Sequence, residues 1–389
     1  MFKPCNTTFG GVMFEEMKED IIDVEKDQDE SENMPATNIK DYKFSTMGGD
    51  IQIRQLVQQM NEGDIEVPNI QRKYVWSNAL ASRFIESALL DLPLPSIFLC
   101  RQENGKYLII DGLQRLTTLC YFLNMEKVNG RMFKISNSKD IYKDWRGKAF
   151  AELSLDDQRK LKNKTIHAII VEQLHPNNYD GLFLIFERIN SGGVQLNQQE
   201  IRNAIFQNSY TEMLSEVNKN KLWREVFGDS HPHKRMKDVE MILRFLALSE
   251  TNISDEANGT TSFVALLNKH MANNVKLDDQ RLNEIKMRFL NILTIVTNNF
   301  GKDVFRMNPS ENNKITKKFF ATTFDAIMVA TYYAYAQGLN TESSIEKIKM
   351  LFANESFKEH INSHTTDNKS IRGRIALAAE ILYGIDYAG

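Results

Sequence analysis

Cysteine is scarce in this chain. Cys5, Cys100 and Cys120 are an odd number with no C-x-x-C spacing, which argues against a disulfide framework or a thiolate zinc site and fits a reducing, cytoplasmic setting. Long apolar runs are also missing. No stretch approaches the ~20 residues that span a bilayer, and the first residues lack the basic-then-apolar order of an export signal, so neither a membrane segment nor export is expected. Strong net charge is absent too: 48 basic against 51 acidic residues give −3, which neither demands nor excludes a nucleic-acid partner. What the chain has is apolar material, 42% hydrophobic with 10% aromatic residues in 389, enough for a sizeable core and for more than one globular part.

The charge is unevenly placed. Residues 1–36 hold ten acidic residues against Lys3, Lys18 and Lys26, a net −7, so the remainder carries +4. Residues 1–43 therefore read as an acidic, flexible leader. Beyond it, Ile53, Leu56, Val57 and Met60 have helical spacing up to Gly63, and Ile65–Val67 is a strand candidate. A helix is expected over 78–90, then strands 96–101 and 106–110 joined through Glu103-Asn-Gly105, a helix over 113–123 and a strand over 165–171. From residue 178 the period turns helical, with helices expected at 178–189, 197–227, 237–249, 262–273, 279–299, 316–337, 342–352 and 370–383. The fold class is α+β: a small mixed sheet in residues 44–175, followed by a mainly helical part in residues 176–389.

Three polar constellations stand out. In Asp111-Gly112-Leu113-Gln114-Arg115, with Thr117 and Thr118 a turn later, an apolar strand delivers a carboxylate and a guanidinium to a helix start. The amide groups and dipole there suit an anion, phosphate first. Asp111 alone could be an ordinary cap. Arg115 is harder to explain, because a cation at the positive end of a helix needs an anion. The second, Gln71-Arg72-Lys73-Tyr74-Val75-Trp76, places a guanidinium beside an amide and two aromatic rings, although Tyr74 and Trp76 could equally plug the core.

The third runs from Phe183 to Ala204. An apolar helix ends in Glu187, Arg188 and Asn190, turns through Ser191-Gly192-Gly193, and restarts at Asn197 with Glu200 placed for a capping box. Capping does not account for Glu187, Arg188, Asn190, Arg202 and Asn203. Elsewhere His360 and His364 could share a helix face and hold a metal, but no acidic or Cys partner sits at the usual spacing and Asn362-Ser363 favours a loop, while His231-Pro-His-Lys-Arg reads as a basic loop. The aromatic residues of 316–337 read as core. Asp303 and Arg306 have no partner that the sequence names.

In this order the three segments resemble the ParB/sulfiredoxin-like family, domain of unknown function family 262, the N-terminal part of GmrSD-type modification-dependent restriction systems. The resemblance covers residues 45–250. The family patterns Q-R-x-Y-x-W and F-x-R-I-N-S-G-G-x-x-L-N-x-Q-E-I-R-N-A are matched at Gln71–Trp76 and Phe186–Ala204, and D-G-Q-Q-R-L-T-T-L at Asp111–Leu119 except that Leu113 replaces a Gln. It implies a ParB-like fold and a nucleoside triphosphate with Mg²⁺, held by Gln71, Arg72, Gly112, Gln114, Arg115, Thr117, Arg188, Asn190, Ser191, Gly192, Gly193, Asn197 and Arg202. Asp111, Arg115 and Glu200 are then the catalytic candidates, with Asp111 or Glu200 holding the ion or orienting water, and no metal ligand set is defined. The implied role is a nucleotide-binding, NTP-hydrolysing protein acting on or near DNA, or with a partner nuclease, in restriction or phage defence. A homo-oligomer is compatible with it. Leu113 weakens hydrolysis more than binding and opens the alternative of a non-catalytic DNA-associated sensor with a vestigial site. A His-Asn-His-type nuclease half is not recognisable in the sequence, which leaves the third reading, a DNA endonuclease or nickase, to the ParB-like part itself.

Overall fold

Alternation in short apolar strands sets the first half of the molecule. The computed structural model describes residues 23–24, 42–66, 74, 76–102, 104–128, 131–176, 179–189, 196–251 and 263–387. Most of the acidic leader lies outside them. The chain divides into two compact units, one of Glu32–Ser215 with Asn258–Lys286, the other of Met1–Ser31, Glu216–Ala257 and Met287–Gly389.

The first unit is built on a five-stranded mixed sheet of β1 (Lys43–Gln52), β2 (Ile65–Glu66), β3 (Ile97–Arg101), β4 (Tyr107–Asp111) and β5 (Thr165–His175), in the order β1-β5-β3-β4-β2. β1 runs antiparallel to β5, with Gln52 opposite Thr165 and Phe44 opposite Gln173, whereas β3 lies parallel to β5. β4 is antiparallel to β3 and parallel to β2. Successive side chains on a strand face opposite ways, so Ile97 and Leu99 with Ile109, Ile166 and Ala168 form one apolar face.

Four helices, α1 (Ile53–Glu62), α2 (Asn78–Leu89), α3 (Leu113–Leu123) and α4 (Leu155–Asn163), supply the apolar side chains that cover that face. Leu56, Ile85, Leu89, Leu116, Leu119, Phe122 and Leu161 are all fully buried there, each contributing about 1.5–3 kcal/mol of transfer free energy. α1 ends at Gly63 in the left-handed conformation, whereas Ser77 and Ser154 cap α2 and α4 by accepting from the Leu80 and Asp157 amides. The neighbouring thiols are sealed in: burial pushes both Cys100 on β3 and Cys120 on α3 up to about 12.

α5 (Asp180–Ile189) and α6 (Gln198–Ile205) follow the sheet. The helix expected over 197–227 is three: α6, α7 (Ser209–Asn218) and α8 (Lys221–Phe227). Asparagines break it, because Asn208 Oδ1 accepts from the Thr211 amide (3.1 Å) and Asn220 Oδ1 from the Leu222 amide (2.9 Å), each closing a local turn in place of continued helix. The remaining helices are α9 (Lys237–Glu250), α10 (Phe263–Asn273), α11 (Asp279–Phe300), α12 (Ala321–Ala336), α13 (Ile345–Ala353), α14 (Glu355–Asn362) and α15 (Asn368–Tyr383). Two of the fifteen, α4 and α14, were not expected; α4 carries only Leu155 and Leu161 among polar residues, too few to show a period.

In the second unit α12 is buried on nearly every side against α9 and α15. Phe319 and Phe324 join Trp223, Phe227 and Phe305 in one aromatic cluster, as the core reading of 316–337 requires, although Tyr335 faces outward. Asp303 and Arg306 pair with each other. At the centre, Asp325 of α12 accepts from Arg244 Nε (3.0 Å) and Nη2 (2.5 Å) and from Arg374 Nη2 (2.8 Å), while Arg374 Nη1 reaches the Thr365 carbonyl (2.5 Å). Removing one partner of such a buried group leaves uncompensated charge. Asp325→Asn is expected to lower unfolding free energy by about 3–5 kcal/mol, read as a shift in the urea midpoint of the Trp fluorescence transition.

Candidate functional site

The strand-to-helix joint at residues 111–115 is shaped by one glycine. Gly112 is the N-cap of α3 with φ +102°, a conformation that L side chains rarely adopt, and a Cβ there would lie 2.6 Å from Ile97 Cγ2 of the adjacent strand. Strand and helix therefore meet more closely than any side chain would allow. No side chain caps α3, and its first backbone bond runs from the Leu116 amide to the Gly112 carbonyl.

Arg115 spans this joint. Its Nη2 donates to Asp111 Oδ2 at 2.5 Å and its Nη1 to the Ser96 carbonyl at 2.9 Å, so one side chain ties α3 to the end of β4 and to the residue before β3. The chain itself supplies an anion, Asp111, for the cation at this helix end. Exposure is lopsided: the Arg115 side chain is 13% exposed and that of Asp111 43%. The guanidinium is held in place while the carboxylate meets solvent.

The second constellation docks on the same helix. The Tyr74 hydroxyl lies 2.9 Å from Thr118 Oγ1, which itself donates to the Gln114 carbonyl at 2.7 Å. Tyr74 also packs edge-on to Tyr121, Trp76 packs edge-on to Phe84, and the Trp76 amide donates to Gln114 Oε1 at 3.3 Å. Burial raises the Tyr74 hydroxyl above its ordinary value, so it stays protonated and able to donate. Both aromatic residues thus serve as anchors, Tyr74 on α3 and Trp76 between α2 and α3. Gln71 and Arg72 lie outside the described residues. Thr117 is half-buried on α3, and Leu113 packs against the apolar core on the helix side of the sheet.

The third constellation is only partly described. Asn190, Ser191, Gly192 and Gly193 lie outside the described residues, while Glu187 is half-buried and Arg188 exposed at the end of α5. α5 also packs beside β4, the strand that ends in Asp111. Asn197 and Glu200 form the capping box, with Asn197 Oδ1 accepting from the Glu200 amide and Glu200 Oε2 from the Asn197 amide, each at 2.8 Å. Arg202 is fully buried, donating through Nε to Asn268 Oδ1 of α10 (2.8 Å) and through Nη1 to Gln199 Oε1 (3.0 Å); Gln199 in turn donates to Asn203 (2.8 Å). These bonds fix α6 against α10. Glu200 and Arg202 are placed in the packing of α6, and Asp111, Gln114 and Arg115 at the start of α3.

Two participants had no sequence signal. Ser96 acts through a backbone carbonyl, and Ile97 acts as the surface that only a glycine can approach. Among the described residues no group of three or more His, Cys, Asp or Glu could hold a metal ion, and none of the described helices is long and apolar enough to cross a membrane. His360 instead packs on Gly373 of α15, where a Cβ would lie 2.4 Å from its Nε2.

Residues 53–207 match the family described as GmrSD restriction endonuclease, N-terminal domain. All three constellations lie within this span, which is shorter than the 45–250 expected from the motifs. The stretch is similar to a GmrSD-type N-terminal domain. No curated protein and no solved structure matches the chain.

Gly112→Ala is expected to destabilise the protein by about 1–3 kcal/mol, through both the left-handed backbone and the overlap with Ile97, measured by urea unfolding. An unchanged midpoint would contradict the close approach.

Proposed function

We propose that the GmrSD-like domain binds a nucleoside triphosphate at the start of α3 and belongs to a restriction or phage-defence system that acts on DNA, directly or through a partner nuclease. One observation carries this reading: Arg115 is fixed by Asp111 and Ser96 at a helix end that has no side-chain cap. A preplaced guanidinium beside backbone amides is the arrangement that phosphate oxygens need, since little ordering remains to be done on binding. The motif resemblance, ParB-like relation included, assigns Gln71 and Arg72, close in the chain to Tyr74, and residues 188 to 193 to the same ligand.

The joint also fits a magnesium ion as far as one carboxylate can. Asp111 is a hard oxygen donor with nearly half of its side chain in solvent, so it would hold Mg²⁺ with phosphate oxygens and water as the other ligands. The ion would neutralise charge on the transferred phosphoryl group. Asp111 would then share its carboxylate between the ion and Arg115, which keeps its place and offers its remaining N–H groups to the phosphates. Asn197, Glu200 and Arg202 support the site by holding α6.

Leu113 favours binding over turnover. It sits where the family pattern has Gln, and it packs on the core, so no amide at this position orients a water molecule. A non-catalytic, DNA-associated sensor is the second reading on that ground. DNA cleavage by this chain itself is the least supported, since no His-Asn-His-type nuclease half is recognisable in the sequence.

Calorimetric titration with each nucleoside triphosphate and Mg²⁺ is expected to give saturable binding that Arg115→Gln abolishes while a cooperative melt is kept at a lowered temperature. Full affinity in Arg115→Gln, or none in the unaltered protein, would overturn the proposal. Phosphate release, assayed with and without DNA, separates the two readings: release above that of Asp111→Ala supports an NTPase, and equal release supports the sensor.

A further inference from the structure

Basic residues concentrate in one stretch of the first unit. Residues 131–164 hold ten lysines and arginines against five acidic residues, in a chain whose net charge is −3. Much of the stretch is a single loop closed at its neck, where the Ile135 amide donates to the Lys148 carbonyl (2.9 Å) and the Gly147 amide to the Ile135 carbonyl (3.0 Å). Arg146 fills the loop from within, donating through Nε to the Ile141 carbonyl (2.6 Å) and through Nη2 to the Lys139 carbonyl (2.7 Å). A compact loop packed by its own side chains keeps one shape without regular secondary structure.

Two helices hold this loop from outside. Ser82 Oγ of α2 accepts from the Ser136 amide (2.7 Å) and Glu86 Oε1 from the Tyr142 amide (2.7 Å), while Trp145 Nε1 donates to Asp157 Oδ2 of α4 (3.1 Å). Ile141 and Trp145 pack into the core. Tyr142 does not: its ring meets that of Trp145 edge-on, 5.0 Å between centroids, and the residue stays 49% exposed. A large ring on a fixed backbone offers contact area at little cost in conformational entropy. Lys139 and Lys143 beside it are exposed, and Lys148 is half-buried at the neck. Most acidic groups nearby are already answered, Asp140 by Arg83 (3.5 Å), Glu152 by Lys134 (3.1 Å) and Asp156 by Arg159 (3.9 Å), which leaves Asp144 as the exposed carboxylate next to Lys143. Lys139 and Lys143 make no ion pair among the described residues.

We propose that this loop is a contact for single-stranded DNA, in which Lys139, Lys143 and Lys148 meet phosphates and an unstacked base lies on the Tyr142 ring. The lysines supply charge attraction, and the ring supplies the preference for unpaired bases, since every free base has a face to stack. A duplex keeps its bases stacked on each other, and an acidic peptide has none, so either would engage the lysines and leave the ring idle. The choice of DNA rests on the reading above; the loop gives the chain a DNA contact of its own, and none of its residues belongs to the Arg115 joint.

Fluorescence anisotropy of the full chain with a labelled oligothymidylate and with a labelled duplex tests this contact. The single strand is expected to bind more tightly than the duplex. Y142A should weaken strand binding about tenfold with the salt slope unchanged, and Y142F should keep it, because a phenyl ring stacks as well. K139Q/K143Q should weaken binding to both and lower the salt slope by roughly one. The three side chains are exposed, so the melting temperatures should match that of the unaltered chain. Equal strand affinity in Y142A, or a duplex preferred to the strand, overturns the proposal. Displacement of the strand by polyglutamate at equal charge concentration does so too, because charge alone is then read. A chain that binds a nucleoside triphosphate and no DNA overturns this proposal and leaves the nucleotide site standing; strand binding without nucleotide binding does the reverse.

Discussion

The bond pair made by Arg115 is the constraint on which the candidate site depends. One guanidinium joins the carboxylate that ends β4, the carbonyl that precedes β3 and the first turn of α3. With Gly112 pressed on Ile97, this leaves the joint little freedom. A flexible arginine would lose side-chain entropy on meeting a phosphate; one already fixed loses little. The same pairing gives Arg115 a structural duty, so its removal affects stability as well as binding.

Burial of charge recurs through the molecule, each time answered locally. Asp325 faces two arginines, Asp238 Oδ2 collects three donors, and Arg202 is held by two side-chain amides. Two of the networks join helices distant in sequence, α9 with α12 and α15 and α6 with α10, and the third ties together the consecutive α7, α8 and α9. Arginine suits this work because its planar fork satisfies several acceptors at once. Hydrophobic burial supplies the stability, and these polar clusters fix which helix faces meet. Burial also lowers the proton affinity of Arg224, which the charge of Asp238 partly restores.

Much of the fold was legible where a period was complete. α3 was bounded at 113–123 because apolar residues recur through it, and the strands before it were marked by apolar runs and an Asn-Gly turn. β1 carries no such mark, since Thr46-Met-Gly-Gly-Asp50 shows no alternation and its burial is mostly at the margins. The long helix over 197–227 failed because asparagine caps look like any polar residue until their acceptors are known. In the site, the residue types clustered at 111–115 were visible in order, but the partners of Arg115 and Arg202 were not. A backbone carbonyl has no letter in a sequence, and Asn268 is too far along the chain from Arg202 for spacing to connect them.

The central claim is that a nucleoside triphosphate contacts the amide groups and guanidinium at the start of α3. Amide hydrogen exchange measured with and without a saturating triphosphate and Mg²⁺ tests this most directly, since it reports on the backbone of residues 111–118 itself. The account predicts slowed exchange there and in the segment around Tyr74 and Trp76. Binding with exchange in 111–118 unchanged would contradict it.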